Sequence, residues 1–402
     1  MATLRQAVEA QRDRGRVPPT GAVSLNLLRQ AFQPGPPGSV RALLSAMYAS
    51  ISERRAWAVI LCRFKDSPSA LSDKERAIEA FFRAAFTPGA GALVEYWRDV
   101  TLGAIDVSGT RVFDWVDVEI ERAQAGGAPS SDPPGPGRSG LAAFAVAALK
   151  KRHGDGVLDG FVGPMAIYTE NWSIPGVPEG TTLETPGFFR FWIDGSSSGD
   201  IICLTPPFDG DITAHEMGHV LGMNHDVAAD LTTDYKDPSC IMSQIGTFTH
   251  PTLQVGFGPA LCLPHLIQQQ WMYRRRLYVD DTGDWMTHLE GVTLPLAPIT
   301  RPGARANLGI KLAYRRGDDS WDYYLEYMVP TEWNRGVPGA PYLLIRRMSP
   351  KYGGTPAYLT FIQVPATPGF SGEVIEPSGN VTFRMTVTSI EDPVIKVTAR
   401  LR

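Results

Sequence analysis

Eleven consecutive residues, His215-Glu216-Met217-Gly218-His219-Val220-Leu221-Gly222-Met223-Asn224-His225, restrict this chain more than any other stretch. They spell H-E-x-x-H-x-x-G-x-x-H, a pattern that requires a helix ending at Gly222 and a loop that returns at once. On a helix His215 and His219 stand one turn apart on one face, so both imidazoles can reach one metal ion at roughly 2.0–2.1 Å. Gly222 can take a positive φ, end the helix and turn the chain sharply, which lets His225 approach the same ion from another side. Three nitrogen ligands leave a fourth tetrahedral position open, the mark of a catalytic rather than a structural zinc. Glu216 lies about 100° round the helix from His215, beside the ion rather than on it. A carboxylate there can take a proton from water that zinc has made acidic. With seven histidines in 402 residues, a chance match at all five fixed positions is on the order of one in a hundred thousand.

Composition sets the outer limits. A chain that is 43% hydrophobic and 20% charged has ample material for a buried core, and its length suggests two or three domains. A formal net charge of -4 argues against a dedicated nucleic-acid binder, which would be basic. No apolar run approaches the roughly 18 residues of a membrane span. Met1 to Thr20 lacks the apolar core of a secretory leader, and its Arg5, Arg12, Arg14 and Arg16 alternate with Glu9 and Asp13, a poor fit to a transit peptide. The chain is therefore expected to stay inside the cell, to leave without a cleaved leader, or to have been trimmed. Oligomeric state is not legible.

Four cysteines stand at 62, 203, 240 and 262, with no C-x-x-C pair. Cys62 sits in an apolar run and reads as a buried thiol. Cys240 and Cys262 flank a glycine-bearing loop and could form a disulfide. Zinc ligation by these thiols is not expected, because the histidines already complete a ligand set.

Residues 1–54 read as a helical segment interrupted by the Pro/Gly loop Gln33 to Gly38. Ala56 to Phe64 is a short apolar run and reads as a buried strand, Ser72 to Ala85 as a helix, and Gly103–Val107 and Thr110–Val116 as two short strands. A Gly/Pro/Ser-rich loop at 123–140 precedes a helix at Leu141 to Lys151. Strands are expected at Phe161 to Tyr168 and, aromatic-rich, at Phe188 to Ile193. The helix of the metal string runs from Ile212 to Leu221, and a second amphipathic helix is expected at Leu261 to Tyr273. Past Arg276 short alternating runs separated by turns dominate: Tyr323–Met328, Tyr342–Arg346, Ala357–Ile362, Val381–Val387 and Val394–Arg400. They indicate an all-β module over 277–402, sandwich-like. The expected fold class is α+β, with domains at 1–54, 55–276 and 277–402.

The string with its third His, followed by Ser239-Cys240-Ile241-Met242-Ser243, resembles the metzincin clan of zinc endopeptidases. In that clan a methionine-bearing turn lies beneath a three-His zinc, and Met242 resembles that methionine. Asp226, directly after the third ligand, is similar to the adamalysin branch; it could anchor the loop carrying His225 or simply cap a turn. Ala56–Asp66, Phe81–Val116, Tyr323–Tyr327 and Trp333–Gly339 resemble blocks of the immune-inhibitor-A-like and gametolysin-like metallopeptidases. The likeness spans roughly residues 55 to 402. It implies a catalytic domain with a twisted mixed sheet and two long helices, one catalytic Zn²⁺ on His215, His219 and His225, and Glu216 as general base. Gly222, Asp226 and Met242 would support that site. It also implies a protein or peptide substrate, extended along the sheet edge near Phe188 to Ile193, and a secreted protein. Gln244 stands where astacin- and serralysin-type relatives carry a tyrosine, so the turn should supply no Tyr ligand. Residues 1–54 contain no Cys, which rules out a cysteine switch there.

An alternative keeps the zinc without the peptidase role: a binding or toxin-like protein whose β-module recognises a protein or glycan. Asp280-Asp281-Thr282-Gly283-Asp284 is an acidic turn that gives weak support for Ca²⁺, without full EF-hand spacing. His153, His250, His265 and His288 show no ligand spacing and read as surface or packing residues. Arg274-Arg275-Arg276 reads as a solvated helix end.

Overall fold

The computed structural model describes residues 53–125, 136–169, 201–204, 209–228, 237–243, 246–316, 319–339, 341–348, 356–365, 367–388 and 394–402. The helices expected before residue 53, the aromatic strand Phe188–Ile193 and Gln244 lie outside them. The described chain is a mixed α/β protein made mostly of strands, with several sheets and few helices.

The apolar run near the start forms β1 (Trp57–Phe64), in which all eight residues are buried. Burial on both faces follows from its place in the interior of a parallel sheet with helices on either side. Trp57, Val59 and Leu61 join a core with Ile78 and Phe82 of α1 (Asp73–Ala85) and Leu93 and Trp97 of α2 (Leu93–Val100). On the opposite face Ala58, Ile60, Cys62 and Phe64 pack with Val116 of β2 (Arg111–Val118) and with Leu141, Ala142, Ala145 and Leu149 of α3 (Gly137–His153). With β3 (Gly163–Tyr168) and β4 (Ile202–Leu204) the sheet order is β2-β1-β3-β4, and all three pairings are parallel. The helix α1 starts on a capping box: the Glu75 N–H donates to Ser72 Oγ, and the Ser72 N–H to the Glu75 carboxylate at 2.6 Å.

Two departures from the sequence reading occur here. The helix α2 was not expected, because Val94, Tyr96, Trp97 and Val100 are weak helix formers. Glu95 stabilises its start by accepting the N–H groups of Gly89, Gly91 and Ala92 at 2.8, 3.0 and 3.2 Å. The second amphipathic helix is shorter than expected. After α4 (Gly210–Val220), which carries the metal string, and the two-residue β5 (Val227–Ala228), the helix α5 covers only Leu263–Gln268. Gln270 takes φ +57°, and the N–H groups of Gln270 and Trp271 return to the carbonyls of Ile267 and Leu266. That closes the helix with a glutamine where the sequence pattern calls for Gly or Asn. In Arg274–Arg276 the first two arginines are exposed, as expected of a solvated end, but Arg276 is not. The segment is a 3₁₀ turn in which the Arg276 guanidinium donates to the carbonyls of Pro302, Ala304 and Ala306.

Beyond it lie β6 (Leu277–Asp280), β7 (Val292–Leu296), β8 (Gly309–Arg316), β9 (Asp319–Met328), β10 (Tyr342–Met348), β11 (Pro356–Gln363), β12 (Ser371–Ile375), β13 (Val381–Val387) and β14 (Ile395–Leu401). A six-stranded sheet has the order β6-β8-β9-β10-β11-β5, and a four-stranded one β7-β14-β13-β12. Ile310, Leu325, Leu343 and Ile345 of the first share a core with Phe383, Met385 and Val397 of the second. The two-residue period of β9 sends Tyr323, Leu325 and Tyr327 into that core and leaves Tyr324 and Glu326 for the other face, which packs on the α/β unit.

The packing crosses residue 276 freely. Tyr324, Trp333, Ala297 and Leu308 belong to the same core as α1, α2 and α4. Trp333 meets Tyr96 edge-on with centroids 5.1 Å apart, and its Nε1–H donates to Asp99 at 3.2 Å. Directly after the metal string, β5 pairs in parallel with β11. No helix among the described residues is long and apolar enough to cross a membrane.

Candidate metal centre

The helix α4 runs through the middle of the protein, and Gly210 to Gly218 are all buried. Its first turn is held by Thr213, whose hydroxyl donates to the Asp209 carbonyl at 2.9 Å. Its end is a Schellman turn: Gly222 N–H donates to His219 O at 2.9 Å and Met223 N–H to Gly218 O at 3.1 Å, with Gly222 at φ +85°. The reversal carries His225 back over the helix.

There the three imidazoles converge. His219 Nε2 lies 3.0 Å from His215 Nε2 and 2.9 Å from His225 Nε2. Two nitrogens on one tetrahedral zinc stand about 3.3 Å apart, close to these two separations, and all three ligand atoms lie within 4.8 Å of one another. Tautomers point the same way. His215 Nδ1 faces the Ile241 carbonyl at 2.7 Å, and His219 Nδ1 faces the Met223 carbonyl at 2.9 Å. A carbonyl only accepts, so each Nδ1 carries the proton and each Nε2 presents a lone pair. Lone pairs turned on one another at this distance are a cradle for a cation. Burial and the neighbouring His219 hold His215 well below the ordinary imidazole range, which keeps it in the neutral form that could hold a cation. Glu216, the next residue on the helix, is buried with 1% of its surface exposed.

Beneath the helix lies the segment 237–243. Met242 is fully buried, and a Cβ on Gly218 would come within 2.5 Å of its sulfur. Gly218 is thus the residue that lets the methionine sit directly under the metal string. The Asp226 N–H donates to the Met242 carbonyl at 3.2 Å. The segment is anchored from below by Arg346 of β10. Its guanidinium donates to Asp237 at 2.5 Å, Ser239 at 2.6 Å and Glu326 at 2.9 Å, all buried.

The side chain of Asp226 meets His265, with Oδ1 and Nε2 2.9 Å apart. Burial pushes this carboxyl up, but His265 and Arg346 outweigh it and hold the group below its ordinary value. His265 is therefore not a surface residue: it is fully buried on α5, with Asp226 as its partner. The disulfide considered for Cys240 and Cys262 is not present: all four cysteines are free thiols. In the acidic turn, Asp280 accepts the N–H groups of Thr282, Gly283, Asp284 and Trp285, and Lys311 pairs with Asp281.

Sequence reasoning picked out His215, Glu216, His219, Gly222, His225, Asp226 and Met242, and the structure brings the three histidines together and Met242 under their helix. It missed Gly218, Ile241, Asp237, Arg346 and His265. Arg346, which directly follows the apolar run Tyr342–Ile345, was the one local signal of a buried ion pair.

No known protein family matches the chain, and no curated protein matches it.

Proposed function

We propose that this protein is a zinc-dependent endopeptidase of the metzincin type, with one catalytic Zn²⁺ on His215, His219 and His225 and Glu216 as general base. The observation that carries the reading is the convergence of three imidazole Nε2 atoms, two of them fixed as lone-pair donors by backbone carbonyls behind them. When bound, Zn²⁺ supplies a Lewis acid that acidifies water and polarises a carbonyl. Glu216 takes a proton from the attacking water and passes it to the departing amine nitrogen, so one carboxylate serves both halves of the hydrolysis. Its position one residue after His215 on a rigid, buried helix keeps it beside the ligands without competing for the ion. The resemblance of this string and of Met242 to the metzincin clan is what favours peptide hydrolysis over other zinc chemistry, since three-histidine ligation alone serves several reactions. In the same reading 55–276 form the catalytic domain, and 277–402 a sandwich-like module that braces it through Arg346, Glu326 and Trp333.

The test is cleavage of a diverse peptide library by the purified chain, with and without a chelator, read by mass spectrometry. Cuts that vanish with chelator and return with zinc support the proposal. Absence of any chelator-sensitive cut, in protein shown to be folded and zinc-loaded, overturns it.

A further inference from the structure

A second set of metal-ligand side chains lies directly behind the three histidines. Asp226, Cys240, Cys262 and His265 are all fully buried, and each offers a ligand atom to a group whose members lie within 4.8 Å of one another. Two of them come from the segments that shape the first centre: Asp226 follows His225, and Cys240 lies two residues before Met242. The other two sit at the start of α5, where Cys262 is the N-cap and His265 is in the first turn. Their C-x-x-H spacing lets two side chains close on one ion.

The polar atoms here are poorly served by protein. His265 Nε2 is 2.9 Å from Asp226 Oδ1 and the Cys240 thiol also leans on this carboxylate, but both contacts fall short of good hydrogen-bond geometry at the oxygens of Asp226 and the ring nitrogens of His265. A buried polar group left this way is costly, more so when charged, and buried polar groups in native proteins are nearly always matched. Arg346 already serves two carboxylates, Asp237 and Glu326. Adding Asp226 leaves this region of the core rich in negative charge.

The geometry points to a second, structural Zn²⁺ held by Asp226, Cys240, Cys262 and His265. Two thiolates, one carboxylate and one imidazole form a closed four-ligand set with no open position. On one tetrahedral zinc such atoms stand about 3.3–3.8 Å apart, so the cluster must contract by about 1 Å at its widest. Burial pushes the Cys262 thiol up to about 12 and raises that of Cys240 too. Both are protonated thiols before metal arrives, and their two protons pass to solvent as the two sulfur–zinc bonds form. Thiol ligation conflicts with a complete histidine set only if the protein holds a single ion. With a second ion, the residue after His225 and the loop beneath α4 are tied together through α5, which sets the frame around the first site. Occupancy of this second site does not depend on the peptidase reading and is measured without an activity assay.

Cobalt(II) is the probe, because sulfur ligands give it an intense charge-transfer absorption that a three-histidine site lacks. The full chain is purified under reductant, stripped with chelator and reloaded, with bound cobalt counted by elemental analysis. Two equivalents per chain with the sulfur band are expected. A His215→Ala/His219→Ala variant should keep one equivalent and the band, whereas Cys262→Ser should lose the band. Should Cys262→Ser not fold, the wild-type spectrum and count still decide. One equivalent and no sulfur band in folded, reduced wild-type protein overturns the proposal. So does a Cys240–Cys262 disulfide as the resident state in a non-reducing digest of protein isolated without added reductant.

Discussion

Arg346 and Asp237, both fully buried, are joined by a 2.5 Å hydrogen bond from Nε to Oδ2 across 109 residues of sequence. The pair ties the sheet of the C-terminal half to the loop under the metal string. Removing the guanidinium strands two buried carboxylates, Asp237 and Glu326, and breaking such a pair costs about 3–5 kcal/mol. Arg346→Ala should lower the stability of the whole protein by that amount in urea unfolding. Arg346→Lys should recover only part of it, since one ammonium cannot reproduce a fork that reaches three partners. A loss below 1 kcal/mol for Arg346→Ala contradicts the bracing role.

Gly218 tests the close approach of Met242. Alanine is the better helix former by about 1 kcal/mol, but its Cβ would come within 2.5 Å of the Met242 sulfur, and overpacking of this kind costs about 1–3 kcal/mol. Gly218→Ala should therefore be neutral to destabilising by about 2 kcal/mol in thermal unfolding. In the background of Met242→Ala the same change should be stabilising, because contacting residues do not add independently.

At Gly222, φ is +85°, a conformation that costs an L-residue about 1–2 kcal/mol. Gly222→Ala should lose stability by about that much and Gly222→Asn by less. Because the turn aims His225, zinc affinity measured by chelator competition should fall in the same order.

His215 makes acid stability of the metal-free protein informative. Its folded pKa is lowered, first by burial and then by His219, from an ordinary value of about 6.5. The unfolded chain therefore binds a proton that the folded chain refuses as pH falls below about 6.5, and folded-state stability drops with falling pH in that window. A single such proton gives a slope of up to about 1.4 kcal/mol per pH unit. Chelator-stripped protein followed by urea unfolding between neutral pH and pH 5 should show this loss, and His215→Gln should flatten it.

The convergence of the three histidines is legible in sequence because eleven contiguous residues encode it: one helical period and one glycine. β1 is legible for a similar reason, an apolar run flanked by charges. The contacts of Arg346 with Asp237 and of His265 with Asp226 join segments far apart, and periodicity reports which face a residue occupies, not what stands opposite. The shortened α5 escaped notice because Gln270 adopts a conformation that the pattern reserves for Gly or Asn. The helix α2 escaped because tertiary packing of Tyr96 and Trp97 overrides weak local propensity.

The most direct measurement compares Glu216→Gln with the parent for zinc content and peptide cleavage under identical conditions. The account expects unchanged zinc, because Glu216 is not a ligand, with cleavage slower by about 10²- to 10⁴-fold. Parental cleavage by a variant with parental zinc contradicts the assignment of Glu216 as the base.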